Sequence, residues 1–250
     1  MNNAKPHYDS VLGKIYSWMT GDFDQAVAAA TESLSHLNIK PQDSVVDLGA
    51  GHGVYAVAAA KQGASVVAIE QCRLLLNELT ENRATLPIEP VEDDLIDFKK
   101  HLTGATDLIL CMTDTLLHLN SRSQVDAVFR SAKSTLKRGG HFLISVRDYS
   151  KATAGDRMCL LVREDKSRIQ TCLLEYGSEI VTVNDIVHEH SDDGWSVLHS
   201  CYPKLRLSPT DIADIADPYG FDLVQKSEVR GMNFMTFRSC AAPFARSGAT

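Results

Sequence analysis

Three glycines at alternate positions, followed by an isolated acid, have the clearest chemical meaning in this sequence. Gly49, Gly51 and Gly53 follow an apolar strand-like run, and Glu70 ends the next such run, which begins at Ser65. Glycines allow a sharp turn and let a ligand approach the backbone, because no Cβ is in the way. A carboxylate can accept two hydrogen bonds from the hydroxyls of a ribose. The combination predicts a site for a nucleoside-bearing ligand across the carboxyl ends of two parallel strands.

Candidate catalytic groups follow two later apolar runs. His118 comes after the run 106–112, and an imidazole there could act as a general base because its ordinary pKa lies near physiological pH. It could equally be a loop histidine bonded to the backbone, and Asp114 in the same loop has the same two interpretations. Arg147 follows the next apolar run, where it could bind a carboxylate or orient an acceptor. Alternatively, Arg147 pairs with Asp148 or another neighbour.

A metal site is not expected. His188 and His190 alternate along a strand-like segment with His199 nearby, so their imidazoles could share one face. A solvated strand is the better interpretation, because a metal would need further ligands. The cysteines form no C-x-x-C pair, which argues against a zinc ribbon. Cys111 and Cys172 lie inside apolar runs, where a free cysteine behaves as a small hydrophobic residue.

The elements that must position these residues alternate between strands and helices. From about residue 42 to 146, five strand patterns alternate with helical patterns, which implies a parallel sheet with helices on both faces. From Arg168 to Leu207 the pattern changes to long runs rich in Ile, Val, Thr and Tyr, with a turn signal at 192–194, as in antiparallel hairpins. Ser208 and Pro209 then mark a helix start, and two more strands follow.

We therefore predict an α/β fold with a Rossmann-like, doubly wound sheet of seven strands. The sheet should be mostly parallel with its last strand antiparallel, and an antiparallel β insertion should follow the fifth strand. Residues 1–40 are expected to form an N-terminal helical cap over the site, and residues 41–150 the ligand-binding core. Residues 151–207 form the insertion, as a lid or acceptor wall, and residues 208–240 the last helix and two strands.

Composition narrows the possible partners. The formal charge is −7, and no cluster of Lys and Arg with interleaved aromatics is present, which argues against generic nucleic-acid binding. No stretch approaches the ~20 apolar residues that a membrane span requires. The first residues show no apolar signal segment, so a cytoplasmic location without a membrane partner is expected. The apolar strands of the insertion could pair with another copy, which would make a homodimer.

Five segments, in order and at the usual spacing, resemble the class I S-adenosylmethionine-dependent methyltransferases, specifically the branch that acts on small molecules. The segments are 45–53 (VVDLGAGHG), Glu70, 94–95, 107–119 and 136–144. Any one of these motifs is weak, but five in order are specific. The resemblance extends over roughly residues 8 to 240.

The resemblance implies a function and a cofactor. The function is in-line transfer of a methyl group from S-adenosyl-L-methionine to O, N or C of a small-molecule acceptor, with S-adenosyl-L-homocysteine as the product. Excluding water and aligning the acceptor lone pair behind the methyl carbon would be the main tasks of the protein. The antiparallel insertion would help as a lid or acceptor wall.

The resemblance also implies roles for individual residues. Asp47 would help to orient the amino group of the cofactor, Glu70 would hold both ribose hydroxyls, and Asp94 would accept from the adenine amino group. Aromatic side chains of the N-terminal segment, including Tyr8 and Trp18, would fold over the cofactor, and an aromatic face near a sulfonium is electrostatically favourable. The cofactor-binding residues implied in this way are Tyr16, Asp47, Gly49, Ala50, Gly51, Gly53, Glu70, Asp94, Leu95 and Cys111.

Three alternatives remain open at this point. Asp93 and Asp94 could be a solvated acidic loop, although Asp94 fits the adenine role better because an apolar residue follows it. A nicotinamide-dependent oxidoreductase is disfavoured, because the sequence has Gly-x-Gly-x-Gly where dinucleotide sites have Gly-x-Gly-x-x-Gly. A non-catalytic module that binds S-adenosylmethionine would carry the same motifs.

Overall fold

Two β-sheets organise the chain. The computed structural model describes residues 4–240, so the expectations for residues 1–3 of the N-terminal cap lie outside the described residues. The strands are β1 (Ser44–Leu48), β2 (Ser65–Glu70), β3 (Ile88–Glu92), β4 (Thr106–Cys111), β5 (Leu136–Arg147), β6 (Arg157–Glu164), β7 (Arg168–Tyr176), β8 (Ile180–Ser191), β9 (Gly194–Leu205), β10 (Phe221–Val229) and β11 (Met232–Ser239). The α-helices are α1 (Lys5–His7), α2 (Gly13–Thr20), α3 (Phe23–Leu34), α4 (Val54–Lys61), α5 (Arg73–Asn82), α6 (Arg122–Thr135) and α7 (Pro209–Ala216).

The larger sheet has the strand order β10-β11-β5-β4-β1-β2-β3. Strand β1 is parallel to β2 and β4, whereas β11 runs antiparallel to both β5 and β10. Alternate residues of β1 face opposite cores, since Val45 packs in a core with α3 and α4 and Val46 in a core with α6 and α7. The predicted seven-stranded, mostly parallel sheet with an antiparallel last strand is confirmed.

The small sheet has the order β6-β7-β8-β9 and is antiparallel throughout. It follows β5, as predicted, and the expected turn joins β8 to β9 at Gly194. The strand-like pattern was recognised only from Arg168 onward, and β6 precedes it inside the insertion predicted at residues 151–207. The apolar run of β6, Met158 to Val162, is short and flanked by charged residues, and this edge strand leaves most of its side chains exposed. Its hydrophobic pattern is therefore weak.

Two other boundaries differ from the sequence patterns. Strand β5 begins at Leu136 and not at His141, so Gly139 lies within the strand, where its φ of +81° accompanies an irregular register with β4. Helix α3 ends at Leu34, and a 3₁₀ turn continues to Leu37. Helix α7 begins as predicted, with Ser208 and Asp211 forming a reciprocal capping box.

The N-terminal segment, residues 4–20, lies against the small sheet. Val11, Leu12 and Ile15 form an apolar cluster with Val187 of β8. Trp18 lies close to two guanidinium groups of the small sheet and donates its indole N–H to Asp165 at 2.5 Å. This segment therefore packs on part of the inner face of the small sheet. Within residues 4–240, no helix combines the length and apolarity needed to cross a membrane.

Candidate active site

A narrow cavity, here called the edge cavity, lies at the carboxyl ends of β1, β2 and β4. Its volume is about 50 Å³. Its walls come from the glycine turn, the end of β2, the loop after β4 and the N-terminal segment. The residues that line it are Tyr8, Tyr16, Gly49, Gly51, Ile69, Glu70, Gln71, Leu75, Asp93, Leu95, Thr113, Thr115 and His118.

Glu70 is fixed by two backbone amides. Its carboxylate accepts a hydrogen bond from the N–H of Gly51 at 2.8 Å and another from the N–H of Cys72 at 2.7 Å. The side chain is 7% exposed. Burial raises the pKa of Glu70, and the bonds from Cys72 and Gly51 oppose that rise. The acid therefore has a fixed orientation at the edge cavity, with lone pairs left for a ligand.

The glycines of the turn are needed for their backbone conformation and for space. Gly49, Gly51 and Gly53 have φ values of +66°, +57° and +98°, a region that favours glycine. A Cβ at Gly53 would come within 2.9 Å of Leu79 Cγ, and a Cβ at Gly49 would collide with Thr115. The turn is thus packed tightly between α5 and the loop after β4.

The two acids after β3, Asp93 and Asp94, make different contacts. Asp94 caps the following 3₁₀ turn by accepting from the N–H of Ile96 at 3.1 Å, and its neighbours Asp93 and Leu95 line the edge cavity. Asp93 binds Lys100 and His101, whose hydrogen bonds lower its pKa to about 2. The adenine role of Asp94 stays a prediction.

Cys111 lies at the end of β4 with its side chain in the hydrophobic core. Burial raises the pKa of its thiol well above the ordinary value. The next two residues, Met112 and Thr113, reach the cavities instead.

A second and larger cavity, here called the side cavity, opens beside the first. Its volume is about 600 Å³, and Tyr16, Gly49 and Thr113 line both cavities. It lies between α3 and the outer strands of the large sheet. Asp47 and Ala50 of the glycine turn line it. The two cavities therefore meet at the glycine turn, on either side of the Tyr16 ring.

Asp47 presents an unpaired carboxylate oxygen to this region. The side chain is 2% exposed, and Oδ2 has no hydrogen-bond partner among the described residues. Burial raises the pKa of Asp47 to about 7, and the nearby charge of Glu70 adds to the rise. A buried, unpaired oxygen of this kind is well suited to a cationic ligand group.

Replacing Asp47 by asparagine should change how stability depends on pH. Because the folded pKa lies above the unfolded value, the wild type loses stability as pH rises toward 7. The variant lacks that loss. The difference in unfolding free energy, variant minus wild type, should therefore rise by about 2 kcal/mol from pH 5 to pH 8. Urea unfolding of the ligand-free protein at both pH values measures this. Asp24→Asn, an exposed change on α3, should show no such gain, and an equal difference at both pH values would contradict the prediction.

Asp114 forms a buried ion-pair network that the sequence did not reveal in full. It is fully buried and accepts from Arg147 Nη1 at 2.7 Å, from Tyr149 Oη at 3.1 Å and from Lys204 Nζ at 2.9 Å. Burial alone would raise the pKa of Asp114, but the charges of Lys204 and Arg147 hold it below its ordinary value. Arg147 thus pairs with Asp114, 33 positions earlier in the chain, and its catalytic role stays a prediction.

Lys204 comes from β9 of the small sheet and joins that sheet to the loop after β4. Its only sequence signal is a lysine at an inward position of an alternating strand, two residues after the buried Tyr202. Asp114 and Thr113 have φ values of +66° and +53°. The network therefore holds a strained loop against the edge cavity.

His118 is buried in an aromatic cluster beside the edge cavity. Its ring stacks on Tyr202 at 5.3 Å between centroids and meets Tyr8 edge-on at 5.7 Å, while His7 stacks on the other face of Tyr202 at 4.3 Å. Burial, with the charge of Lys204, lowers the pKa of His118 to about 3. Nδ1 has no hydrogen-bond partner among the described residues. The imidazole is therefore neutral at physiological pH, with one nitrogen unused.

The histidines of the small sheet serve other contacts. His190 packs edge-on against Trp195, and His199 lies 3.2 Å from the side-chain oxygen of Asn184. His188 pairs in register with Val197. Over residues 4–240, no group of three or more potential ligands of the His, Cys, Asp and Glu types is placed to hold a metal ion.

Comparison with known proteins identifies what this chain is similar to. The methyltransferase domain family matches residues 45–140. The chain is 28% identical over 225 residues to a cypemycin N-terminal methyltransferase from a Streptomyces species, covering 85% of this chain and 90% of that protein.

Solved structures share the fold. The CcbJ methyltransferase of Streptomyces caelestis superimposes with a TM-score of 0.76 at 18% identity, covering 94% of this chain and 98% of that one. The S-adenosylmethionine-bound CalS10 amino pentose methyltransferase of Micromonospora echinaspora gives a TM-score of 0.70 at 15% identity, covering 94% and 96%. This similarity to methyltransferases agrees with the glycine turn, the position of Glu70 and the strand order of the large sheet. Residues 45–140 of this chain therefore belong to the methyltransferase domain family, and the fold is that of S-adenosylmethionine-dependent methyltransferases.

Proposed function

We propose that the edge cavity holds the adenosine part of S-adenosylmethionine and that the methionine part extends past Tyr16 toward Asp47. Glu70 accepts from the ribose hydroxyls, and the backbone of the turn from Gly49 to Gly51 faces the methionine part. The chemistry supports this fit, because the unpaired and buried Oδ2 of Asp47 matches an ammonium group.

Two further residues act through the backbone in this proposal. Gly53 begins α4 and lets the turn pack on Leu79, and the Leu95 amide faces the adenine ring beside Asp94. Tyr16 Cε1 lies 3.6 Å from the place of a Cβ on Gly51, so the ring narrows the entrance. Admission of a ligand as large as S-adenosylmethionine therefore requires movement of the N-terminal segment.

We propose that the acceptor atom is an amine nitrogen. When bound, S-adenosylmethionine supplies a methyl group on a sulfonium, and an acceptor lone pair in line with the breaking carbon–sulfur bond forms the new bond to that carbon. An alcohol would need a strong base in contact with it, whereas a neutral amine already has its lone pair. The acids near the edge cavity are engaged, since Glu70, Asp93 and Asp114 all have partners. The low pKa of His118 makes it a weak base.

The names of the relatives support the same acceptor. One methylates an N-terminus, by its name, and another acts on an amino pentose. A small molecule or a peptide carrying an amine is therefore the proposed substrate class. The single observation that carries the choice of nitrogen is that the carboxylates of the reacting region are engaged: Glu70 and Asp93 have partners among the described residues, and the buried Asp47 is assigned above to the ammonium group of the cofactor.

The test of this function is turnover. The protein is incubated with methyl-labelled S-adenosylmethionine and a panel of amines with matched alcohols, and products are identified by mass spectrometry. Methylated amines are expected, at rates that increase with pH as the amine loses its proton. Methylation of alcohols alone would overturn the choice of nitrogen, and tight cofactor binding without any turnover would favour the non-catalytic module.

We propose that His118 orients the amine by accepting a hydrogen bond at Nδ1. His118→Leu should lower kcat by about 10- to 100-fold, the value of one buried hydrogen bond of about 1–3 kcal/mol. The affinity for S-adenosylhomocysteine, measured by calorimetry, should change by less than about threefold. His199→Leu on the outer face of the small sheet is the control, and equal kcat values in both variants would contradict the role.

In this proposal the small sheet does not contact the acceptor directly. The N-terminal segment packs on its inner face. The contributions of the small sheet to the site are Lys204, which holds the loop after β4, and Tyr202, which stacks on His118. A homodimer formed through its apolar strands stays a prediction. Leu161 and Val197, both 58% exposed, are the residues that would lie in such an interface.

A further inference from the structure

The side cavity adjoins the reacting region, and the function proposed above does not yet use most of it. With about 600 Å³ it is far larger than the edge cavity, and it reaches the glycine turn through Tyr16, Gly49 and Thr113. On the opposite side of Tyr8, the stacked rings of His118, Tyr202 and His7 fill the space. The body of an acceptor therefore has room on the α3 side, and only its amine end would approach His118 at the edge cavity.

The α3 side of the side cavity has mainly small side chains, and the opposite side mixes apolar residues with polar ones such as Gln225 and Ser227. Helix α3 contributes one face whose residues repeat with helical spacing, and the sheet contributes Met112 and Phe234 opposite. The residues of the α3 face are Ala26, Ala29, Ala30 and Ser33. Short side chains on this face leave the gap between helix and sheet open. The cavity thus fits a slender, largely apolar group.

The charges of the side cavity have one sign. Its carboxylates are Asp47 at the inner end and the exposed Glu32 on α3, and none of its described lining residues is Lys or Arg. Its histidines are His52, whose pKa burial lowers to about 4, and His36, which is bonded to Thr236 at 2.9 Å. A phosphate or carboxylate would find no cationic partner here, which is unfavourable in a partly buried site.

We propose that the side cavity binds the body of the acceptor and selects a largely apolar amine that carries no phosphate or carboxylate. This inference rests on the proposed function, since it places the acceptor beside the methyl donor. With Asp47 paired to the ammonium group of the cofactor, the exposed carboxylate of Glu32 attracts the ammonium form of the acceptor, and the apolar part of the wall favours its neutral form near Tyr16 and Thr113. An acceptor with a nucleotide or phosphate handle is excluded by the same charges.

Binding of matched probes tests the inference separately from turnover. The full chain is saturated with S-adenosylhomocysteine and titrated calorimetrically with 4-phenylbutylamine and with 4-phenylbutanoate, which share a skeleton and differ in the charged group. Tyramine and O-phosphotyramine form a second pair. The amine should bind at least about tenfold more tightly than the anion in each pair, a difference of about 1.4 kcal/mol. Equal or tighter binding of either anion, or no binding of either amine at millimolar concentration, would overturn the proposal.

A filling substitution locates the site. Ala29→Phe places a ring in the side cavity, whereas Ala28→Phe makes the same change on an exposed position of α3 outside it. The first variant should weaken amine binding by tenfold or more and leave S-adenosylhomocysteine affinity within about threefold, and the second should change neither. Equal effects of the two variants on amine binding would overturn the location. If amines bind as expected but no amine is methylated, the proposed function fails and the binding site stands.

Discussion

Replacing Glu70 by alanine is expected to lower the affinity for S-adenosylmethionine by at least about 100-fold. Hydrogen bonds to a charged, buried acceptor contribute about 1.5–3 kcal/mol each, and two bonds to ribose hydroxyls exceed the ~2.7 kcal/mol that corresponds to 100-fold. The loss is increased because the N–H groups of Gly51 and Cys72 lose their shared acceptor, so the glycine turn is no longer fixed. Calorimetric titration with S-adenosylmethionine and S-adenosylhomocysteine measures the effect.

A matched control stands on the adjacent strand. Glu92 pairs in register with Glu70 at the carboxyl end of β3, but it is exposed and forms an ion pair with the exposed Arg73. Glu92→Ala should therefore leave cofactor affinity within about threefold, since exposed ion pairs contribute little. Urea unfolding separates a binding defect from a folding defect, because Glu70→Ala should unfold with the same cooperativity. Wild-type affinity in a folded Glu70→Ala protein would remove Glu70 from the cofactor site.

The parts of the site that could be predicted from the sequence are those determined by a few residues that are close together in the chain. The positive φ values of Gly49, Gly51 and Gly53 are required by a turn only a few residues long. Glu70 was identifiable because it ends a strand pattern, and strand ends converge at one edge of a parallel sheet. The same logic gave the order of helices and strands through β5.

The parts that could not be predicted depend on contacts between distant segments. Lys204 and Asp114 are 90 positions apart, and neither residue alone indicates an ion pair. The small residues of α3 read as an ordinary helix face, because the gap beside them is set by where β10 and β11 lie in the sheet. Strand β6 was missed because an exposed edge strand lacks a strong alternation between buried and exposed positions.

Asp114→Asn is expected to destabilise the protein by about 3–5 kcal/mol, the cost of leaving one charge of a buried pair without its partner. Lys204 is 7% exposed and remains close to the uncharged amide. Asparagine tolerates the left-handed backbone found at this position. The loss of stability therefore measures the removal of the charge and not a change in the turn. Urea unfolding at pH 7 measures it. Asp126→Asn, which breaks the exposed pair with Arg130 on α6, should cost less than about 1 kcal/mol.

A double-mutant cycle decides whether the pair acts as a unit. Lys204→Met alone leaves Asp114 with Arg147 and Tyr149, so its cost should be smaller than that of Asp114→Asn. The double variant should be more stable than Asp114→Asn alone, because the uncompensated lysine is gone. The pH dependence has a definite sign: the folded pKa of Asp114 is depressed, so its contribution is present at neutral pH and decreases as pH falls below about 4. Additive costs in the cycle would show that Lys204 does not hold the loop after β4, and the small sheet would then have no energetic link to the active site through this pair.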